Sequence, residues 1–349
     1  MNPVTDVNIL IVRAGALGDT LMATPVVRAL GQRYPDAAID VLCSSAATSL
    51  LELHPRVDRL FSLKWRNLPY AISWEKRRLE KQLRARDYGF AVLLERAPRY
   101  RELLDKAGIR EIRSFRESPF DPETHAIENN LRAAGVHGST DMELVVSEDD
   151  ERRAEEFLDG LSRPLVGLHV GYGPRGKKRD QSVRLKGWAL DNFIELGENL
   201  SADGANIVLT GSAEDRPDVD KLSARIRARD VAGRTSVREL AAIIQRLDLF
   251  VSVDSGPAHM AAAVGTPLVV LWGPAILAQV APMSSTSPVT VVRHVVPCAP
   301  CYDTPLMKTC RQNICMEGIT PANVLAHARS LLAHEPVPQR VQGLDRTKR

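Results

Sequence analysis

Residues 248–260, which read DLFVSVDSGPAHM, carry polar side chains directly after an apolar run. Asp254, Ser255 and Gly256 follow the run, and His259 lies in the helix that a proline then begins. At the end of a buried parallel strand, these groups offer donors and acceptors suited to sugar hydroxyls and phosphate oxygens. A plain helix cap for Asp254 and a packed side chain for His259 are the alternative interpretations.

The segment RAGALGDT, at 13–20, follows another apolar run and opens another helix. Gly15 and Gly18 permit a tight turn, and the helix offers free N–H groups to a polar ligand. Asp19 stands where an N-cap acid would stand, and such a cap stabilises by about 1 kcal/mol without any role in chemistry. The two glycines lack the G-x-G-x-x-G spacing of a dinucleotide-binding turn.

A strongly basic stretch, GYGPRGKKRDQSVRLKGW at 171–188, follows a third apolar run. It contains one acidic residue, Asp180, and six basic residues, which are Arg175, Lys177, Lys178, Arg179, Arg184 and Lys186. The stretch leads into the N-terminus of a helix, so that charge and helix dipole would both favour a diphosphate. A solvated loop is the alternative interpretation.

Four of the five cysteines lie close together in the segment CAPCYDTPLMKTCRQNIC. They are Cys298, Cys301, Cys310 and Cys315. Four thiolates can surround a tetrahedral zinc or an iron, and such a closed shell would be structural. The spacing differs from that of a zinc ribbon, so that loop thiols or a single redox pair remain the alternatives. Cys43, at a strand end, is predicted to be packed.

The elements that must position these groups alternate along the chain. Apolar runs typical of buried parallel strands alternate with amphipathic helical stretches, and the runs lie at 8–14, 38–44, 88–95, 165–171, 205–212, 249–255 and 267–273. This alternation predicts an α/β fold with helices on both faces of parallel sheets. Each half is expected to form a doubly wound, Rossmann-like sheet, with a ligand crevice at the carboxyl ends of its strands.

The length of 349 residues predicts two domains. A charged helix within 145–164 marks the boundary, which gives an N-terminal domain at 1–160, a C-terminal domain at 161–335 and a frayed tail at 336–349. The net charge of +3 is too small for a chain built to neutralise a nucleic-acid backbone. The sequence contains no apolar run of membrane-spanning length and no basic leader, so a cytoplasmic location is expected.

Four segments together carry a resemblance to a known family. They are ILIVRAGALGDTLMATPVVRAL, LKGWALDNFIEL, IVLTGSAED and FVSVDSGPAHMAAAVGTPLVVLWGP. In this order they resemble glycosyltransferase family 9, the ADP-heptose:lipopolysaccharide heptosyltransferases, from about residue 8 to about residue 332. The resemblance implies a GT-B architecture, an ADP-heptose donor, inversion of the anomeric centre and no metal in the chemical step. In agreement, the D-x-D at 218–220 opens an amphipathic helix and does not end a strand.

The resemblance also implies roles for residues at both crevices. Asp19 matches the acid proposed as general base, and Lys186 matches the lysine that holds the donor diphosphate. Because they lie in opposite halves, closure of the cleft would assemble the site. Within the first turn, we place Gly18 and Thr20 on the donor side and Arg13 on the acceptor side.

The donor loop after residue 253 corresponds to a family motif that binds the sugar and the phosphates. His259 matches the histidine close to the heptose, Glu214 stands near the position of an acid at the nucleotide ribose, and Thr235 matches a turn that packs against the base. The remaining donor-binding predictions are Asp254, Ser255 and Gly256.

The acceptor side is expected around a basic and aromatic stretch at 64–86. It contains eight basic residues against two acids, with Trp65, Tyr70 and Trp74 among them. The predicted acceptor-side residues here are Lys64, Arg77 and Arg78. A solvated helix is one interpretation; the other is an amphipathic surface that contacts anionic lipid headgroups at the inner membrane or a phosphorylated glycolipid acceptor.

Other functions remain open at this level. A nicotinamide oxidoreductase would share the sheets but lacks its glycine motif here. A non-catalytic sugar-nucleotide binding protein would keep the donor loop without a competent base. Within the enzyme class, another nucleotide sugar or a protein or small-molecule acceptor would suit the same fold.

Overall fold

The computed structural model describes residues 7–65, 67–171 and 185–333. Arg66, most of the basic stretch that precedes Lys186, and the predicted tail at 336–349 lie outside these described residues. Within the described ranges, no helix combines the length and the apolarity that a bilayer crossing requires.

The first sheet consists of five parallel strands in the order β3-β2-β1-β4-β5. The strands are β1 (Asn8–Arg13), β2 (Ile39–Ser44), β3 (Arg59–Leu63), β4 (Tyr88–Leu93) and β5 (Ile112–Ser114). The inner strand β1 is buried along its centre because its apolar run is covered on both faces. The strand order reverses between β1 and β4, where an open α/β sheet forms its ligand crevice.

The second sheet consists of six parallel strands in the order β11-β10-β9-β6-β7-β8. The strands are β6 (Leu165–His169), β7 (Asn206–Thr210), β8 (Ala228–Asp230), β9 (Leu249–Val253), β10 (Leu268–Trp272) and β11 (Val289–Arg293). Counted from β6, this is the Rossmann order, with its reversal between β6 and β9. Two doubly wound sheets are therefore present, as the alternation of elements predicted.

Helices cover both sheets. In the first half they are α1 (Leu17–Leu21), α2 (Thr24–Arg33), α3 (Trp74–Arg84), α4 (Pro98–Lys106), α5 (Ala126–Ala134) and α6 (Glu148–Leu158). In the second half they are α7 (Leu190–Ala202), α8 (Arg216–Ser223), α9 (Val237–Arg246), α10 (Gly256–Val264), α11 (Leu277–Val280), α12 (Pro305–Thr309), α13 (Ile314–Glu317) and α14 (Pro321–Leu332). The final helix α14 packs on α7 and on the second sheet.

Two details differ from the sequence-based expectation. The single helix expected after the first glycine turn is divided into α1 and α2, because Pro25 takes a first-turn position and starts a new helix. The charged helix α6, expected in the N-terminal domain, packs against α9 of the second half. Ion pairs from Arg238 to Asp150 (3.0 Å) and from Arg246 to Glu155 (2.8 Å) support that contact. The boundary at residue 160 stays a prediction.

Candidate active site

A carboxylate and a guanidinium lie at the carboxyl end of β1, at the crevice of the first sheet. Asp19 Oδ1 is 2.6 Å from Arg13 Nη2, and its Oδ2 accepts the N–H of Ala16 at 2.8 Å. Arg13 also donates to the carbonyl of Leu94 at 2.5 Å, just beyond β4, so that it spans the crevice. Because a Cβ on Gly15 would lie 2.3 Å from Asp19 Oδ2, this turn requires glycine at position 15.

The protonation state of Asp19 follows from these contacts. Burial acts to raise the pKa of Asp19, but the charge of Arg13 and the N–H of Ala16 outweigh it and hold the pKa below the ordinary value of 3.8. The carboxylate is therefore ionised at neutral pH. It is positioned to accept a hydrogen bond from a ligand hydroxyl, and its side chain remains 34% exposed.

A second ion pair lies at the crevice of the second sheet. Lys186 Nζ is 2.6 Å from Asp254 Oδ2, where Asp254 follows β9 directly and is 7% exposed. Ser255 is the N-cap residue of α10, and Ser255 Oγ is 2.9 Å from Ser252 Oγ. The ion pair therefore holds the ammonium group of Lys186 beside the N-terminus of α10. The ammonium group and the helix N-terminus both favour binding of an anion.

His259 brings the two crevices together. A Cβ on Gly18 would lie 2.7 Å from His259 Cδ2, and a Cβ on Gly256 would lie 2.9 Å from Leu17 Cβ. Only glycine at both positions allows α1 and α10 to approach this closely. Helices α1 and α10, which belong to opposite halves of the chain, are therefore in contact in this structure.

His259 is uncharged at neutral pH. Burial lowers its pKa to about 4. The carboxylates of Asp254 and Asp19 act to raise this pKa, whereas His125 and Lys186 act to lower it. Its Nδ1 is buried without a hydrogen-bond partner among the described residues. A neutral imidazole with an unused polar atom suits a ligand hydroxyl better than a phosphate.

A profile of "Glycosyltransferase family 9 (heptosyltransferase)" matches residues 114–310. The chain belongs to glycosyltransferase family 9. It is therefore a glycosyltransferase. It is 30% identical to lipopolysaccharide heptosyltransferase 3 of Escherichia coli strain K12, over 73% of this chain and 79% of that protein. It is 27% identical to lipopolysaccharide heptosyltransferase 2 of Salmonella typhimurium, over 94% of this chain and 99% of that protein.

The fold of the glycosyltransferase is also found in solved structures. The E. coli ADP-heptose lipopolysaccharide heptosyltransferase II superposes with a TM-score of 0.75 at 24% identity, over 95% of this chain and 100% of the other. Together with the two sheets described above, this similarity confirms the predicted GT-B architecture.

Segment 298–319 of the glycosyltransferase holds the backbone around Lys186. Trp188 Nε1 donates to the carbonyl of Ile319 at 2.8 Å, and Asn313 donates to the carbonyl of Gly187 at 3.2 Å. The Lys186 ammonium also lies 4.6 Å from the centre of the Tyr302 ring. Tyr302 was not predicted from the sequence, because no local pattern shows that its loop returns to Lys186.

Replacing Tyr302 with leucine is expected to raise the donor KM two- to fivefold, because an exposed cation–π contact is worth about 0.5–1 kcal/mol. Tyr302→Phe keeps the ring and is the matched control, for which the donor KM stays near wild type. Steady-state kinetics with varied donor measure the effect. If both variants behave alike, the ring does not position Lys186.

The four clustered cysteines are in the thiol form, and their arrangement does not support the predicted metal site. Cys301 and Cys315 are buried, and burial raises the pKa of Cys315 to about 11, with the neighbouring thiols adding to the effect. Cys310 donates to the carbonyl of Gln312 at 3.0 Å. Within the described ranges, no three His, Cys, Asp or Glu side chains are arranged to hold a metal ion. The structural metal at these cysteines therefore stays a prediction.

Other predicted donor residues lie at the carboxyl edge of the second sheet. Glu214 is exposed after β7, and Thr235 is half-buried after β8, just before the N-cap of α9. Their loops touch, since a Cβ on Gly233 would lie 2.8 Å from the backbone of Ala213. Thr20 differs, because its side chain is buried in α1 and no hydrogen-bond partner for its hydroxyl is found in the described part.

The predicted acceptor residues divide into two groups. Arg13 lies in the crevice on Asp19. Lys64 follows edge strand β3, while Arg77 and Arg78 lie exposed on α3. Strand β3 is two strands from β1, about 10 Å at the usual spacing, so this second group lies at the margin of the crevice.

His125 is a further residue that sequence reasoning missed. It is the N-cap residue of α5, and its Nε2 donates to the carbonyl of Ala281 in the second half at 3.0 Å. Its Nδ1 accepts the N–H of Ile127 at 3.2 Å. Both ring nitrogens are thus used, and the ring links the two halves beside His259.

Acidification is expected to destabilise the fold through two buried histidines. Burial lowers the pKa of both His259 and His169 to about 4, below the ordinary 6.5. The unfolded chain therefore binds more protons below pH 6.5, and stability falls as pH decreases from 6.5 towards 4. Between pH 7.5 and 5 we expect a loss of roughly 2 kcal/mol per histidine, measured by urea unfolding. A urea midpoint at pH 5 equal to the midpoint at pH 7.5 would contradict this prediction. The His259→Gln variant should lose less stability than the wild type over the same pH range.

Proposed function

We propose that this glycosyltransferase moves a heptose from ADP-heptose to a lipopolysaccharide-type acceptor, with inversion and without a metal in the chemical step. The relatives' names support the donor and acceptor classes. The observation that carries the proposal is the meeting of Asp19, His259 and the Lys186–Asp254 pair at the contact of the two halves.

The chemistry follows from the charges. An acceptor hydroxyl oxygen attacks the anomeric carbon while the bond from that carbon to the diphosphate oxygen breaks. The hydroxyl proton passes to Asp19, whose low pKa suits a transfer that occurs as the oxygen becomes acidic in the transition state. The electron pair of the broken bond leaves with ADP, whose growing charge Lys186 and the N-terminus of α10 stabilise.

The remaining residues orient the substrates. Neutral His259 hydrogen-bonds to a hydroxyl of the donor sugar, and Arg13 holds the carboxylate of Asp19 towards the acceptor. Glu214 and Thr235 line the end of the crevice that would hold the nucleoside. Because nucleophile and leaving group lie on opposite faces of the sugar, this arrangement gives inversion.

Transfer assays with a panel of nucleotide sugars and cell-envelope acceptors, read by mass spectrometry of the product, test the proposal. We expect transfer of a heptose from ADP-heptose and an inverted anomeric configuration by NMR. Addition of EDTA should leave the rate unchanged, because the charge on the diphosphate is balanced by Lys186 and helix N–H groups. Preference for another nucleotide sugar, or loss of activity with EDTA that a divalent ion restores, would contradict it.

A structural zinc or iron at the four cysteines stays a prediction separate from this chemistry. Elemental analysis of protein purified without added metal tests it, together with thiol titration. Near-stoichiometric metal with few reactive thiols would support the site. Four titrating thiols without metal would refute it.

We further place the reaction in the cytoplasm, at the face of the inner membrane, where a glycolipid acceptor is anchored. No nucleic-acid partner is proposed. The acceptor-side cations Lys64, Arg77 and Arg78 support a phosphorylated or membrane-bound partner, because they are exposed at the margin of the crevice.

A further inference from the structure

Several large apolar side chains are exposed between Trp65 and Trp74, a stretch in which all residues except Arg66 are described. Trp65 is 53% exposed, Leu68 38%, Ile72 65% and Trp74 67%. Elsewhere in the described ranges, exposed large apolar side chains are scattered or lie near the cysteine loop. Four such side chains within ten residues form an apolar surface of the kind that marks an interaction site.

The segment is held in this orientation by the polar side chains of α3. The carboxylate of Glu75 accepts the N–H groups of Lys64 at 2.8 Å and Trp65 at 3.0 Å. Lys76 is buried, and its ammonium group donates to the carbonyl of Leu68. The backbone groups of Lys64, Trp65 and Leu68 are thus bonded to α3 while the side chains of Trp65 and Leu68 are exposed to solvent.

A groove lies beside these side chains. It has a volume of about 710 Å³ and runs between edge strand β3 and helix α3. Phe61, Trp74 and Leu79 form its apolar walls, and Arg59 and Arg78 contribute cationic groups. The groove therefore offers space for apolar and anionic groups at the same place.

Basic side chains surround the apolar ones. Lys64, Arg77, Arg78 and Lys81 are exposed, and Arg77, Arg78 and Lys81 line a second opening beside Trp74. In the described part of the chain, none of these four forms a salt bridge, whereas Arg84 on the same helix pairs with Glu80. Their charge is available to an anionic partner.

We propose that this surface docks the enzyme on an anionic lipid bilayer. The docking surface comprises Trp65, Leu68, Ile72 and Trp74 with Lys64, Arg77, Arg78 and Lys81. The tryptophans and aliphatic side chains enter the interfacial region, where amphipathic rings are favoured. The cations meet the phosphates, which attract basic groups near a membrane surface. The inference deepens the membrane contact in the proposed function and does not depend on the donor or the acceptor sugar.

Docking here has a consequence for catalysis. Strand β3 ends at the docking surface, and β1 with Arg13 and Asp19 lies two strands away, about 10 Å along the sheet. A bilayer bound at this surface would place the acceptor side of the crevice next to the lipid headgroups. A membrane-anchored acceptor could then reach Asp19 without leaving its bilayer.

Co-sedimentation with vesicles tests the proposal. The full chain is mixed with vesicles of phosphatidylcholine alone and of phosphatidylcholine with phosphatidylglycerol, both free of glycolipid. We expect binding to the anionic vesicles, weakened by salt. Ile72→Ser/Trp74→Ser should lower the partition coefficient at least roughly tenfold through lost apolar burial. Arg78→Gln/Lys81→Gln should lower it roughly fivefold per charge.

Matched controls lie on the second half. Val295→Ser/Leu306→Ser removes apolar side chains that are 71% and 50% exposed, and Lys221→Gln/Arg227→Gln removes exposed charges. Both should bind vesicles like the wild type. ADP binding and circular dichroism confirm that each variant is folded.

Two outcomes would overturn the proposal. One is equal sedimentation of the wild type and Ile72→Ser/Trp74→Ser with anionic vesicles. The other is no sedimentation with these anionic vesicles until glycolipid is added to them, which would make this surface an acceptor site. Because neither measurement involves sugar transfer, either result leaves the transferase assay to decide the proposed function on its own.

Discussion

Replacement of Asp19 by asparagine is expected to lower kcat by roughly 10²- to 10⁴-fold, the range for loss of a general base. Asparagine keeps an oxygen towards Arg13 and nearly the same shape, so the turn should survive while the proton acceptor is lost. ADP-heptose affinity should change little, because the proposed role of Asp19 is towards the acceptor hydroxyl. Steady-state kinetics and calorimetric titration of the donor measure the two quantities separately.

Glu95 supplies the matched control. Its Oε1 lies 3.9 Å from Nη1 of Arg13, whereas Asp19 contacts Nη2, and Glu95 follows β4 closely. Glu95→Gln should retain most of the activity if Asp19 is the base. Should Glu95→Gln abolish transfer while Asp19→Asn remains active, the base would be Glu95 and our assignment would be wrong.

Replacement of Lys186 by alanine is expected to raise the donor KM roughly 10- to 150-fold, because a hydrogen bond to a charged group contributes about 1.5–3 kcal/mol. The loss should extend to kcat, since the charge on the leaving diphosphate grows in the transition state. Donor-dependent kinetics and ADP titration measure it. Wild-type kinetics in this variant would remove Lys186 from the site.

Asp254, the ion-pair partner of Lys186, affects the result of Lys186→Ala and also provides a control for it. Asp254 is 7% exposed, so removing the ammonium leaves a buried carboxylate unpaired, and the fold could lose about 3–5 kcal/mol. Asp254→Asn combined with Lys186→Ala should restore thermal stability but not donor affinity. If the double variant regains both, Lys186 acts through Asp254 and not on the diphosphate.

The strand ends with polar groups were predictable because they interrupt apolar runs. The sequence VDSGPAHM predicts a buried strand, a helix start and a histidine one turn later, and the structure has β9, α10 and His259 in those places. The four edge strands, β3, β5, β8 and β11, were not predicted. Each has only three to five residues, and its pairing depends on a neighbour that the local sequence does not identify.

The contacts between the two halves were also beyond local pattern. Gly18 reads as a turn residue, yet its missing Cβ makes room for His259, about 240 positions away in the chain. Tyr302 belongs to a loop that reads as a cysteine motif, while its ring lies on Lys186. The metal site predicted from the cysteine spacing has no matching arrangement of side chains among the described residues, and it stays a prediction.

The sequence by itself determined the α/β class, the two sheets, the glycosyltransferase family and the loops that carry Asp19 and Asp254. These features follow from the spacing of apolar residues, the polar residues at strand ends and the order of the motifs, all of which can be read along the chain. Only the tertiary structure decided that Arg13 holds Asp19, that His259 is buried and neutral between the two crevices, and that Trp65 and Trp74 face solvent. The physical reason is that burial and electrostatic environment arise from groups far apart in sequence, which only the packed chain brings within a few ångströms.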